Sequence, residues 1–228
     1  MKELDIELND TQVQQFLTYY ELLIEWNSNM NLTTITIYED VVIKHFIDSI
    51  SLVKVINLNN DLNIIDIGTG AGFPGIPISI VFPHLNITLL DSLMKRINFL
   101  DFVIDNIKLK NINTIHGRAE DYAKDNKHRE KYDLAISRAV ANLSVLSEYC
   151  LPFVKIDGLF ISYKSEKIQV EAEEAKKSFD ILGGKFFRQA NYTLPNSDVF
   201  RCLYSIKKIS ITDKKYPRKA GIPLKNPI

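Results

Sequence analysis

The stretch Asp66 to Gly75, DIGTGAGFPG, holds the densest chemistry in the chain. Glycines stand at positions 68, 70, 72 and 75, between the short β-branched run NIIDI (Asn63 to Ile67) and an apolar run starting at Ile76. Glycine there admits backbone conformations closed to other residues and lets a ligand approach the main chain. Gly70, Gly72 and Gly75 satisfy GxGxxG, a pattern that is weak alone. A second acid, Asp91, ends the next strand-like run NITLLD, where a carboxylate can accept hydrogen bonds from ribose hydroxyls. Other reactive types are sparse. His45, His84, His116 and His128 are scattered, and no HExxH occurs. Cys150 and Cys202 lack metal-ligand spacing and cannot form a disulfide framework. No metal is expected, and no Ser/His/Asp or paired-carboxylate arrangement stands out.

Two ligand classes compete for a glycine loop of this kind. A nicotinamide or flavin dinucleotide would set its pyrophosphate on the helix N-terminus. S-adenosylmethionine has no phosphate and carries a sulfonium and an ammonium. Asp66, directly under the loop, favours the second. A carboxylate repels a pyrophosphate, more strongly where water is thin, and attracts a cation. Asp91 serves either class. The expectation is S-adenosylmethionine held by Asp66, Gly70 and Asp91, with a dinucleotide oxidoreductase as the alternative.

These residues need a scaffold. Val13, Phe16, Leu17, Tyr20, Leu23 and Ile24 recur at helical spacing, with Asn9 or Asp10 as the cap, and the pattern stops in NSNMN, Asn27 to Asn31. Val42, Phe46, Ile50 and Val53 share one face of a second helix, with His45 and Asp48 alongside. Strands follow at Asn63 to Ile67, Asn86 to Asp91, Asn111 to His116, Tyr132 to Ser137 and Gly158 to Lys164, with helices from Leu93 to about Ile107 and from Ser165 to Phe179. Such alternation predicts a parallel sheet covered on both faces. Lys185 to Leu194 and Val199 to Lys208 also read as strands. The link between them is too short for a parallel crossover, so they form an antiparallel hairpin. The fold class is α/β, a Rossmann-like, mostly parallel sheet with an antiparallel hairpin at its C-terminal end. An N-terminal helical extension over 1–60, a main domain over 61–210 and a basic tail over 211–228 complete the organisation.

The 228 residues are 46% hydrophobic and 25% charged, ordinary usage for a folded soluble protein. Long disorder is excluded on composition. No leader and no apolar run of membrane-spanning length is read, so a cytosolic protein is expected. Net charge is zero, yet Met1 to Asn63 holds 3 basic and 10 acidic residues, and Arg201 to Ile228 holds 8 basic and 1 acidic. A basic end after a neutral core points to a polyanionic partner. Lys95, Arg96, Arg118, Lys164, Arg201, Lys214, Lys215, Arg218 and Lys219 are candidate phosphate contacts, and the tail is expected to lie extended along nucleic acid.

Several strings are unusual, and their order is more so: WNSNMNLTTIT, HFIDSI, DIGTGAGFPGIPISI, TLLDSLMKRINFL, GRAED, ISRAVANL, ILGG and KKYPRKAGIP. On these the chain resembles, over nearly its full length, the bacterial ribosomal RNA small-subunit methyltransferase G family, also called glucose-inhibited division protein B. The resemblance implies S-adenosylmethionine on a class I methyltransferase sheet, acting on N7 of a guanine in 16S ribosomal RNA; a monomer is expected. It implies that Gly68 and Phe73 contact the cofactor, that Ala119 and Glu120 border its adenine, and that Arg138 lies at the cofactor and substrate face. Ala71 stands where some relatives have Pro. Ser165 stands after Lys164 where Gly is expected.

Overall fold

The computed structural model describes residues 4–138 and 141–228. Ala139 and Val140, inside ISRAVANL, lie outside the described residues.

Helix α1 (Asp10–Met30) opens with a capping box. The Asn9 side chain accepts from Gln12 N–H, and the Gln12 side chain accepts from Asn9 N–H. Helix α1 ends within NSNMN, as expected, at Met30. Asn31 ends it at φ 50°, a left-handed conformation that asparagine tolerates. The second helical run starts as α2 (Tyr38–Val41), winds as a π-helix over Val42–Ile47, returns to α3 (Asp48–Ile50) and tightens to a 3-10 turn over Ser51–Lys54. Phe46 and Ile50 are buried on the expected face.

Then come β1 (Asn63–Ile67), α4 (Gly75–Val81), β2 (Asn86–Asp91), α5 (Met94–Asn106), β3 (Ile112–His116), α6 (Ala119–Tyr122), β4 (Tyr132–Arg138), α7 (Leu143–Cys150), β5 (Val154–Lys164), α8 (Ile168–Leu182), β6 (Gly184–Thr193), β7 (Phe200–Lys208) and α9 (Ile222–Lys225). The sheet order is β3-β2-β1-β4-β5-β7-β6. Strands β1 to β5 are parallel, and β7 runs antiparallel to both β5 and β6, as the short link before it requires. Helix α8 sits three residues later than its charge pattern suggests, and Gly183, at φ 78°, ends it.

Strands β1 and β2 are buried on both faces except at their first residue, because helices cover each side of the sheet. One core joins α1, the π-wound run, α4 and α5 to one face. The other joins α7 and α8 to the opposite face. The N-terminal helices therefore share a core with the sheet. Strand order reverses between β2-β1 and β4, and ligands of such sheets bind beyond the carboxyl ends of the strands at that switch point.

The tail does not extend. Pro217 and Pro223 are buried. Arg129 donates to the carbonyls of Thr212 (2.6 Å) and Tyr216 (2.9 Å), and Thr212 N–H donates to Glu130. Lys208, fully buried, donates to Leu151 O at 2.9 Å and Leu182 O at 3.3 Å. The expectation of an extended tail is corrected by these contacts: the last residues finish the fold on the α6-α7 side.

Candidate active site

A cavity of about 910 Å³ opens at the switch point, within the range of small-molecule sites. Its two halves are built differently. The first is the loop after β1. Gly68 and Thr69 N–H donate to Leu90 O, tying the loop to β2. Gly70 N–H donates to Asp91 Oδ2 at 3.0 Å, and Asp91 Oδ1 accepts from Leu93 N–H at 2.9 Å. Arg96 pairs with the same carboxylate at 3.1 Å. Gly72 and Phe73 N–H go to Thr69 O, and Ile76 N–H to Gly72 O. Gly75 N–H donates to Asp66 Oδ2 at 2.9 Å, beside the Thr69 hydroxyl at 2.7 Å. A Cβ at Gly70, at φ +64°, would meet only the Gly68 carbonyl oxygen, at 4.0 Å. A Cβ at Gly75 would collide with Leu89 and crowd Asp66, so that turn admits no side chain.

Asp66 is thus not where the charge argument placed it. It is fully buried and absent from the cavity lining. Its Oδ2 fixes the loop, and its Oδ1 has no hydrogen-bond partner among the described residues. Burial pushes its pKa up to about 7, with the Thr69 and Gly75 hydrogen bonds pulling the other way. The cation-pairing role is therefore corrected to a scaffolding one. The preference against phosphate stands on different ground. Among the described N–H groups from Gly68 to Ile76, all but that of Ala71 already have protein acceptors. A pyrophosphate needs such groups unpaired. Tyr19 of α1, buried in the core, donates to Ala71 O at 2.5 Å and braces the loop from above. Residues that would hold S-adenosylmethionine fit this half: an open glycine backbone, a ribose-matched carboxylate at Asp91, and the rings of Phe73 and His45 stacked at 4.4 Å.

The second half lies over the ends of β4, β5 and β7. Arg138 Nη1 pairs with Asp48 Oδ2 at 3.1 Å, and Arg201 Nε with Asp48 Oδ1 at 3.3 Å. Arg138 Nη1 also reaches the carbonyls of Lys44 and His45, at the π-wound turn. The Arg138 guanidinium stands 5.0 Å from the Phe73 ring centre. His45 lines the cavity, and its Nε2 meets Thr33 Oγ1 at 2.8 Å. Burial, reinforced by the Arg138 charge, lowers its pKa to about 3, so the imidazole is neutral near pH 7. Lys164 donates to Ala141 O at 2.7 Å and to Glu171 at 2.6 Å, and Glu171 also accepts from Leu143 N–H. This clamp holds the β4–α7 connection. It is not an unpaired phosphate contact.

Of the residues singled out from sequence, Gly68, Gly70, Phe73, Asp91, Arg96, Arg138, Lys164 and Arg201 line one cavity. Ala119 and Glu120 do not; Glu120 is buried, and its Oε1 accepts from Gly221 N–H at 3.1 Å. Arg218 is also redirected. Its Nη2 pairs with buried Glu148 at 2.6 Å and its Nε with the same carboxylate at 3.0 Å, so it anchors the tail. Lys95, Arg118, Lys214, Lys215 and Lys219 are exposed. Sequence reasoning missed Lys44, Thr33 and Glu171 in the cavity wall, and Tyr19 behind it. Asp48, inside HFIDSI, was the one available signal for the arginine side. Among the described residues no group of side chains forms a metal site, and no helix is long and apolar enough to cross a membrane.

Solved structures share the fold. M. jannaschii TYW2 in complex with AdoMet superposes with a TM-score of 0.53 at 18% identity, covering 66% of this chain and 71% of that one. P. horikoshii TYW2 in complex with MeSAdo gives a TM-score of 0.55 at 14% identity, covering 72% and 62%. The sequence carries the relationship further. The family described as rRNA small subunit methyltransferase G matches residues 12–193. The ribosomal RNA small subunit methyltransferase G of Lachnoclostridium phytofermentans is 52% identical over 228 residues, covering 100% of this chain and 94% of that protein. That of Alkaliphilus metalliredigens is 50% identical over 227 residues, covering 100% and 95%. The chain belongs to the rRNA small subunit methyltransferase G family.

Proposed function

We propose that this chain transfers the methyl group of S-adenosylmethionine to N7 of a guanine in 16S ribosomal RNA, in the cytoplasm. The observation that carries the cofactor is the glycine loop whose N–H groups are already spoken for: it offers a shaped wall to a phosphate-free ligand and no cradle to a dinucleotide. Family membership carries the RNA.

When bound, S-adenosylmethionine supplies an electrophilic methyl on a cationic sulfur. Gly68 and Gly70 present backbone to it, Asp91 accepts from its ribose hydroxyls, and Phe73 contacts it. Ala119 and Glu120 are assigned to the adenine by resemblance alone, since neither lines the cavity. Guanine N7 carries an in-plane lone pair and no proton, so no general base is needed. The neutral, engaged His45 agrees with that. Rate enhancement then rests on aligning N7, methyl carbon and sulfur, an effect worth up to about 7–11 kcal/mol in well-oriented systems. The base must be unstacked to reach the methyl, at a cost of a few kcal/mol that is lowest in a loop. N7 must stay open to react, so a guanidinium cannot take the usual bidentate O6/N7 grip. Arg138 is left O6 or a flanking phosphate. Exposed Lys95, Arg118, Lys214, Lys215 and Lys219 position the RNA without reading its sequence.

The test is transfer of labelled methyl to deproteinised RNA, small subunits and whole ribosomes in parallel, with the modified base mapped. Label at guanine N7 of small-subunit RNA is expected. Calorimetric binding of NAD instead of S-adenosylmethionine overturns the reading. A cofactor complex with no transfer points to a non-catalytic assembly factor.

A further inference from the structure

Asp48 is a carboxylate at 1% exposure, which is costly to keep charged unless its environment compensates. Three donors converge on it from elements far apart in the chain: Arg138 from the end of β4, Arg201 from β7, and the Tyr192 hydroxyl from β6 at 3.1 Å. The π-wound turn immediately before it directs two backbone carbonyls at the same Arg138 guanidinium. Fold stability alone is a weak reason for such a cluster, since well-packed apolar side chains often serve as well or better than a buried ion pair.

The position of its partners explains it. Both arginines line the cavity, from the ends of β4 and β7, with the Arg138 guanidinium 5.0 Å from the Phe73 ring centre of the glycine loop. Neither is used up. Among the described residues, Arg138 Nε and Arg201 Nη2 have no hydrogen-bond acceptor. Two guanidiniums on one wall repel each other and, on flexible stems, would otherwise swing apart. A single carboxylate held between them fixes both forks and leaves the pair with one net positive charge.

We propose that Asp48 is a positioning residue that holds Arg138 and Arg201 as a paired guanidinium wall against the flipped guanosine nucleotide. The inference rests on the methyl-transfer reading above and adds the residue that sets the substrate side of the site. Asp48 does not touch substrate; it acts through the arginines. Its charge and its geometry then have opposite effects on RNA. Removing the negative charge makes the wall more cationic, so RNA binding holds or tightens. Losing the fixed geometry spoils alignment, so turnover falls.

Asp48→Asn keeps shape and one acceptor and removes the charge. Expected for this variant are S-adenosylmethionine affinity within about twofold of the parent, RNA affinity equal or higher at low salt, and kcat lower by roughly ten- to hundredfold. Arg201→Gln in the same background should cost less than it does alone, because the two act as a unit. Asp48→Glu should recover part of kcat. If Asp48→Asn lowers the melting temperature and weakens cofactor and RNA together, the residue is a structural strut and the inference is wrong. If Asp48→Asn unfolds, Tyr192→Phe, which removes a single hydrogen bond to Asp48, must show the same split in smaller measure, a lower kcat at unchanged cofactor affinity. Unchanged kcat in either folded variant overturns the proposal. Parent protein assayed alongside separates the two readings: no transfer by the parent defeats the activity, whereas normal transfer by parent and variant alike defeats only Asp48.

Discussion

The two halves of the cavity solve the same problem by different means. The glycine-loop half is nearly contiguous in sequence. Ten residues carry it, and two carboxylates, Asp66 and Asp91, tie it to β1 and β2 through backbone hydrogen bonds. The arginine half is assembled from residues more than 150 positions apart, Asp48 to Arg201, and is held by ion pairs between side chains. The first is rigid because its own backbone groups are satisfied. The second is rigid only while charges balance. A backbone-built wall suits a ligand that is always the same molecule. A side-chain-built wall suits a large substrate whose approach varies.

The largest expected effect breaks the first half. Asp66→Ala removes the acceptor of Thr69 and Gly75 and leaves two buried donors unsatisfied, at about 1–3 kcal/mol each. S-adenosylmethionine affinity should fall by roughly a hundredfold or more by calorimetry. Asp66→Asn retains an accepting oxygen and should lose only about tenfold. Equal losses in the two variants would restore the direct cation-pairing role.

Next comes the tail, whose basic residues belong to two kinds. Arg218→Ala leaves Glu148 buried without its partner, a situation that costs about 3–5 kcal/mol. For a chain of this size that lowers the melting temperature by about 10 °C. Lys214→Ala should leave it unchanged. A stable Arg218→Ala protein would return this arginine to the pool of RNA contacts.

A pH series sharpens the contrast further. Asp66 has a folded pKa of about 7 against 3.8 for the free side chain, so the folded protein holds the proton more tightly. Its contribution to stability is full below about pH 4 and is lost as pH rises through about 7. His45 works in the opposite direction. Its folded pKa of about 3 lies below 6.5, so stability falls as pH drops through that window. Urea unfolding of parent and Asp66→Asn proteins across pH 4 to 8 isolates the first effect, because His45 cancels in the difference. The parent should lose stability relative to the variant as pH rises; a flat difference means that Asp66 is charged throughout.

The smallest effect belongs to the exposed cations. Lys214→Ala with Lys219→Ala should lower the slope of log affinity against log salt for single-stranded RNA by about 0.7 for each phosphate no longer engaged, with cofactor affinity unchanged. An unchanged slope removes these two lysines from the interface.

What was legible in the sequence follows the same division. The glycine loop, Asp91, the strand alternation and the terminal hairpin are local patterns, and each is found where it was read, within a few residues. The role of Asp66 was misread because a charge beside a loop looks the same in sequence whether it faces a ligand or the loop's own N–H groups. The π-wound turn left no trace, since one such turn barely alters which side chains share a face. The Asp48 cluster was out of reach because no periodicity links residues 48, 138 and 201. Arg218 looked like its neighbouring lysines; only the buried Glu148, 70 positions earlier, makes it different.

Strand β7 lies between β5 and β6 in the sheet, although β6 precedes it in the chain. During synthesis on the ribosome, β6 emerges first and lacks its partner strand until β7 has been made. Arg201 comes with β7, and the anchors Arg218 and Gly221 come later still. The pairing of Arg138 and Arg201 through Asp48 is therefore completed only once β7 has been made. A nascent chain that has not yet made β7 holds the glycine loop but not Arg201 beside Arg138, so on the proposed role of that pair the cofactor side of the cavity forms before the substrate side.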